Sequence, residues 1–364
     1  MLEAFVLGFW KVLAWPAFGY LLIGVAVGFM VGLLPGLGGL STLALMLPFS
    51  YTIKTPIEAF CFLLGMLAVT GTTGDITSIL FGIPGEGSAA ALILDGYPMS
   101  KNGEAGRALG AAITSSVVGS VIGATALLVS IPIMRPLVLL FGSPELFVIA
   151  IMGVTFIGTL AGSSLLKGLL AGGVGLMLAA IGVDPQTGSL RYTFGTLYLW
   201  DRLDIIPVVV GLFAIPEIVD LAVRGTSIAS QKATKLTGVM EGVKDTFRHF
   251  WLVFRCSMIG VYFGVLPVLG AGVAQWISYG HAVQGLKKGE AGKGAIEGVL
   301  GPGASNNSTR GGDLIPTIAF GIPGSGSMAL LLGALLIVGL NPGPEMLKQH
   351  LDVTFSMVWV LIIA

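Results

Sequence analysis

The chain has 364 residues, of which 54% are hydrophobic and only 10% charged, with 19 basic and 19 acidic side chains. A soluble domain carries about 25% charged residues, so composition excludes an ordinary soluble fold and places the chain in a lipid bilayer. A net charge of zero argues against nucleic acid as a partner.

Mean hydropathy is +0.92, and the 55 glycines lie well above the usual share of ~7%. Transmembrane helices accept glycine more readily than soluble ones do. Cys61 and Cys256 stand in apolar runs and read as small buried hydrophobes. Glu3 is the one charge in the first ten residues, so no cleavable signal peptide is expected.

No Asp, Glu, Lys or Arg occurs in 12–53, 108–134, 146–166, 168–183, 256–286 or 314–344. A spanning helix needs about 20 apolar residues. The stretches 108–134 and 146–166 therefore read as simple spans, and 168–183 as a tight one. The other three are interrupted by Gly and Pro: PGLGGLS splits 12–53 into two passes, LPVLGAG splits 256–286, and GIPGSGS splits 314–344. Proline removes a backbone donor and glycine permits unusual dihedrals, so helices should stop there. Unpaired backbone at membrane depth survives only inside protein or beside a watery cavity.

These interruptions form a repeat. GLLPGLGG at 32–39 is echoed by GVLPVLGAG at 264–272, and GIPGEGS at 82–88 by GIPGSGS at 321–327, where Glu86 against Ser325 is the one difference. Matching Gly74-Asp75-Ile76 to Gly312-Asp313-Leu314 extends the repeat upstream. Duplicated, broken hydrophobic segments point to the binding site of a secondary transporter. The expected fold class is an all-α integral membrane protein, a multi-pass bundle with broken or re-entrant helices and two inverted repeats.

Loop charge bears on the inversion. Arg224, Lys232, Lys235, Lys244, Arg248 and Arg255 outnumber Glu241 and Asp245, and Lys287, Lys288 and Lys293 follow the next hairpin. Positive-inside bias puts both in the cytoplasm, whereas 12–53 is flanked only by Lys11 and Lys54. The halves are placed at 1–223 and 250–364, joined by a basic cytoplasmic linker at 224–249. The second half is shorter and ends in the apolar run TFSMVWVLIIA, so it is expected to lack several helices.

Soluble-enzyme signatures are missing. No GxxxxGK[ST] occurs, which removes P-loop ATP hydrolysis. Gly36-Leu37-Gly38-Gly39 is half a dinucleotide fingerprint without its strand. His249, His281 and His350 are scattered, so neither catalysis nor a bound metal is expected. The sequons in Asn306-Asn307-Ser308-Thr309 adjoin an apolar hairpin and are read as chance matches.

Polar residues cluster beside the breaks instead. Thr70, Thr72, Thr73 and Asp75 precede the first GIPG; Asn306, Asn307, Ser308, Thr309, Arg310 and Asp313 precede the second. Helix starts offer N–H groups to an anion, and unwound carbonyls suit a cation. The bland alternative is that these residues cap helices and tie them together. The candidate substrate- and ion-binding set is Pro35, Gly36 and Gly38; Thr72, Thr73 and Asp75; Pro84, Gly85, Gly87 and Ser88; Pro267 and Gly270; Asn306, Asn307, Ser308 and Arg310; and Pro323, Gly324, Ser325, Gly326 and Ser327. Arg310 and Asp313 are spaced to pair on a helix, and Asp95 and Lys101 read as a wet loop.

With those motifs the chain resembles the large membrane subunit of tripartite tricarboxylate transporters, the TctA family. The resemblance rests on GLLPGLGG, on GDITSILFGIPGEGSAAALILDGYPMSKNGEAGRALG at 74–110, and on the long motifs across 264–344. It implies a multi-pass permease of the bacterial inner membrane, with no cofactor beyond a coupling Na+ or H+. Implied partners are a small organic anion, a small membrane subunit and a periplasmic solute-binding protein. By position, the glycines and prolines of the four motifs, with Asn306 and Asn307, would shape the site. Ser308-Thr309-Arg310, Asp313 and LPVLG depart from the family pattern, which implies a substrate other than citrate. The rival readings are a membrane scaffold whose glycines only pack helices, and an ion-conducting pore.

Overall fold

Helices stop at all four Gly/Pro interruptions. The computed structural model describes residues 1–34, 38–50, 52–140, 165–183, 189–200, 236–266, 270–287 and 289–364, with isolated positions between 144 and 223. Most of the expected span 146–166 lies outside them.

The first half comprises α1 (Leu2–Leu13), α2 (Ala17–Gly32), α3 (Gly39–Ser50), α4 (Pro56–Phe81), α5 (Ala90–Lys101) and α6 (Ala105–Leu139). After α7 (Leu165–Ala179) comes a short hairpin in which β1 (Gly182–Val183) pairs antiparallel with β2 (Leu190–Arg191). The expected tight span 168–183 therefore ends early, at Ala179. The remaining helices are α8 (Val239–Arg248), α9 (Phe250–Val265), α10 (Gly270–Val283), α11 (Glu297–Phe320), α12 (Gly326–Ile337), α13 (Pro344–Lys348) and α14 (Leu351–Ile363).

Among the described residues, α4 and α6 are long and apolar enough to cross a membrane. The pair α1 and α2, bent by 67°, is long and apolar enough for a third if counted as one broken span. That bend is a correction, because 12–53 reads as interrupted only at PGLGGLS. Pro16 lacks an N–H and disfavours helical backbone at Trp15 before it, and Ala14 is already extended.

The ends of α4 and α11 are copies of one another. Gly82 and Gly321 terminate them, each at φ 67° and ψ 22°, a left-handed conformation that glycine adopts without a steric penalty. At the same offset, Thr70 Oγ1 donates to Met66 O at 2.7 Å and Thr309 Oγ1 to Ser305 O at 2.5 Å. Ser78 Oγ donates to Gly74 O at 3.0 Å, and Thr317 Oγ1 to Asp313 O at 2.5 Å. The register is thus one residue off the motif match: Gly74 corresponds to Asp313, and Asp75 to Leu314. Packing of the loops agrees, since a Cβ at Gly85 would stand 2.3 Å from Gly74 Cα and one at Gly324 2.8 Å from Asp313 Cα.

Close helix approach also recurs. On α2, Cβ atoms at Gly24 and Gly28 would lie 2.2 and 2.4 Å from the carbonyls of Phe62 and Met66 on α4. On α9, those at Gly260 and Gly264 would lie 2.7 and 2.5 Å from the carbonyls of Ser305 and Thr309 on α11. In lipid, apolar surface gives helices no reason to associate, so close contact between small residues must hold them.

Residues Gly298 to Ala319 of α11 are all buried, although they include SNNSTRGGD. Only an interior position shields so many polar groups from lipid. Against α11 lie α6, α9, α10 and α4. Helix α8, within the segment read as a linker, is anchored to α6 by Arg107 Nε donating to Asp245 Oδ2 at 2.6 Å. The end of the chain is tied to its start where Trp359 Nε1 donates to Phe5 O at 3.0 Å.

Candidate functional site

The four interruptions converge. A cavity of about 310 Å³ is lined by Gly38–Ser41 of the first, Glu86–Ser88 of the second, Gly272 of the third, and Ser325 and Ser327 of the fourth, with Arg310. Helices α3, α10 and α12 begin at Gly39, Gly270 and Gly326, so three helix N-termini adjoin it. The first turn of a helix has N–H groups without intrahelical partners and a partial positive charge.

Arg310 supplies the full positive charge. Its Nη2 meets Glu86 Oε1 at 3.4 Å, with the two side chains 4% and 13% exposed. Its Nε has no hydrogen-bond partner. Glu86 is held in place by Ser88 Oγ, donating to Oε1 at 2.5 Å, and by the Gly39 amide, donating to Oε2 at 3.2 Å. With this pair neutral overall, the helix ends leave the cavity an electropositive bias. The spacing of Arg310 and Asp313 suggests an internal pair, but the carboxylate that meets Arg310 is Glu86. Asp313 has Arg310 and Ser325 beside it, yet neither of its oxygens makes a hydrogen bond of good geometry.

A second polar cluster joins α4 to α11. Asn306 Nδ2 donates to Asp75 Oδ2 at 2.9 Å, and Asn307 Nδ2 to Thr72 Oγ1 at 2.9 Å. Thr72 Oγ1 also meets Ser116 Oγ of α6 at 3.2 Å. A cavity of about 230 Å³ opens beside Thr72, Thr73 and Asn307. Its remaining lining is mostly apolar, so the 310 Å³ cavity is the better seat for an anion.

The candidate set divides accordingly. Gly38, Gly87, Ser88, Arg310, Ser325 and Ser327 line the anion-suited cavity; Thr72, Asp75, Asn306 and Asn307 form the second cluster. Pro35, Gly36 and Pro267 lie outside the described residues, and Gly270 is the first residue of α10. The others do not line the 310 Å³ cavity. Thr73 Oγ1 donates to the carbonyls of Val69 and Thr70 at 3.0 and 3.2 Å, and Ser308 Oγ to Ser305 O at 3.2 Å. Gly85 and Gly324 permit the loop to lie on its helix, while Pro84, Pro323 and Gly326 do not line the cavity. Ser325 also caps α12, accepting from Met328 N at 3.4 Å.

Glu86, Gly39, Ser41 and Gly272 line the cavity although they are outside the candidate set. The signal for Glu86 was present, because it is the single difference between the two GIPG motifs. Asp95 belongs to no wet loop. It is fully buried on α5 and accepts from the Gly294 and Ala295 amides at 2.8 and 2.9 Å and from Tyr279 OH at 3.0 Å. Its burial follows from those three donors, which fasten α5 to the approach to α11.

A helical membrane protein whose interrupted helices meet around one polar cavity is the class that this fold and site define. The chain belongs to the Tripartite tricarboxylate transporter TctA family, whose model matches residues 18–364. It is 35% identical over 333 residues to an Agrobacterium vitis protein described as "Uncharacterized 52.8 kDa protein in TAR-I ttuC' 3'region". That match covers 90% of this chain and 65% of the relative, so the chain spans just under two thirds of that relative's length. An "Uncharacterized protein in TAR-II ttuC' 3'region" of the same organism is 41% identical over 93 residues, covering 25% of this chain and 38% of that protein. No solved structure matches the chain.

Proposed function

We propose that this chain forms the large permease subunit of a tripartite secondary transporter that takes up small organic carboxylates, driven by an ion gradient across the bacterial inner membrane. The observation that carries the reading is Arg310 at a cavity adjoined by three helix N-termini. A guanidinium grips a carboxylate through two parallel hydrogen bonds. Backbone N–H groups at helix starts suit a second carboxylate, and Ser88, Ser325 and Ser327 add hydroxyl donors. The family's tripartite description supports a small membrane subunit and a periplasmic solute-binding protein as partners.

The recurring contacts of α2 with α4 and of α9 with α11 support two repeats, and the unequal flanking charge supports their inverted arrangement. In this reading 224–249 is the cytoplasmic connection between the halves.

The test is uptake of radiolabelled di- and tricarboxylates by cells carrying the complete transport system. Arg310→Gln and Ser327→Ala should each reduce uptake at least tenfold with membrane expression preserved. Uptake equal to wild type in both variants would remove the substrate from this cavity.

A further inference from the structure

Glu86 is bound as a small carboxylate would be. It takes a guanidinium contact from Arg310 Nη2 at 3.4 Å, a hydroxyl from Ser88 Oγ at 2.5 Å, and the amide of Gly39 at 3.2 Å. Guanidinium, hydroxyl and helix-start amide are the three kinds of donor assigned to the substrate. All four residues line the 310 Å³ cavity.

The loop itself does not need this carboxylate. Glu86 and its counterpart Ser325 share an extended backbone, φ −139° and ψ 163° against φ −148° and ψ 171°. Ser325 caps the helix that follows it by accepting from Met328 N. The Glu86 side chain makes no such cap to the short helical turn at Gly87–Ala89. It reaches across to the start of α3 instead, where Gly38 leaves it room. A Cβ on Gly38 would stand 2.8 Å from Glu86 Cβ and 3.2 Å from Glu86 Oε2.

Nor does Glu86 saturate Arg310. A contact of 3.4 Å is long for a charge-assisted bond, which ordinarily measures about 2.7–2.9 Å, and Arg310 Nε has no hydrogen-bond partner. An untethered carboxylate can turn to accept two parallel bonds from one guanidinium, whereas Glu86 accepts one.

We propose that the Glu86 carboxylate occupies the seat of a substrate carboxylate and is displaced from it when substrate binds. This rests on Arg310 and the helix starts holding the substrate, as in the proposed transport function. Between substrates the tethered carboxylate neutralises Arg310, because a buried cation without a partner is costly. It also screens anions, since an intramolecular competitor acts at a high effective concentration. One carboxylate alone gains little against it; a second, held by a neighbouring helix start, tips the exchange. Glu86 thereby selects di- and tricarboxylates over monocarboxylates.

The experiment is rescue of Glu86→Ala by sodium acetate, read as thermal unfolding of the purified full chain in detergent, with sodium chloride at equal ionic strength as reference. Glu86→Ala should melt below wild type in chloride and regain at least half of the difference in acetate. Acetate should leave wild type unchanged, and the rescue should vanish when Arg310→Gln is added. Glu86→Gln keeps the shape without the charge, so succinate and citrate should stabilise it at a concentration at least fivefold lower than wild type requires. That arm decides if Glu86→Ala folds in neither salt. Acetate acting no better than chloride on folded Glu86→Ala, or succinate and citrate stabilising Glu86→Gln no more strongly than wild type, would overturn the assignment. Rescue by acetate together with carboxylate uptake indifferent to Arg310→Gln would instead sink the transport reading of the cavity and leave Glu86 a structural counter-ion.

Discussion

Arg310 on α11 meets Glu86, in the loop after α4, at 3.4 Å, and the repeat preserves neither residue. The offset that carries Gly82 to Gly321 places Ser325 opposite Glu86 and Gly71 opposite Arg310. Among the described residues, the one cation at the cavity and the one carboxylate facing it thus break the match between the motifs together. Each neutralises the other at the wall of the cavity, with side chains largely buried.

That pairing predicts non-additive stability. Glu86→Gln leaves Arg310 buried without its charge partner, and losing one member of a buried pair costs about 3 kcal/mol or more. Glu86→Gln with Arg310→Met should recover part of the loss, with a coupling of about 1–3 kcal/mol. Thermal unfolding in detergent of wild type, both single variants and the double variant gives the coupling; strictly additive shifts would mean that the contact contributes nothing.

Ser88 and Ser325, which hold different positions in the matching motifs, are expected to differ. Ser88→Ala removes the hydroxyl donor to Glu86 Oε1, leaving that oxygen to Arg310 alone, and should lower carboxylate uptake about tenfold, roughly 1.4 kcal/mol, with little change in melting temperature. Ser325→Ala also removes the cap of α12, a loss of about 1 kcal/mol, so it should lower both uptake and melting temperature. Equal melting temperatures in the two variants would contradict the capping role.

Glycine positions sort by what a Cβ would meet. Gly28→Ala and Gly260→Ala drive a methyl group into a neighbouring backbone and should destabilise by about 1–3 kcal/mol. Gly280→Ala meets nothing within 4 Å and should be neutral or stabilising by up to about 1 kcal/mol through helix propensity. Thermal unfolding ranks the three directly, and a destabilised Gly280→Ala would undermine the packing account.

Inverted repeats require Lys54 and Lys287 to face opposite sides of the membrane. Both positions are exposed, and the native thiols of Cys61 and Cys256 are buried. Cysteine introduced at each in turn, in a background lacking the native pair, should react with an impermeant maleimide from opposite sides. Labelling from one side only at both positions would keep the repeat and abolish the inversion.

The four helix interruptions were legible in the sequence because their cause is local. Proline withholds a donor wherever it stands, and the left-handed backbone at Gly82 and Gly321 needs glycine whatever surrounds it. The repeated order of those motifs, the apolar spans and the scarcity of charge likewise fix a multi-pass helical membrane protein without reference to any contact. Tertiary structure alone decided which polar groups meet. Arg310 turns from nearby Asp313 to Glu86, Asp75 finds Asn306, and Asp95 leaves its expected loop to receive the Gly294 and Ala295 amides. Each choice joins residues far apart in the chain, and it is the packing of α4, α5 and α11 that brings them within hydrogen-bond reach. The one-residue slip is confined to the short match of Gly74-Asp75-Ile76 with Gly312-Asp313-Leu314; the GIPG motifs already carry the true register, and the close contacts of Gly85 with Gly74 and of Gly324 with Asp313 follow it.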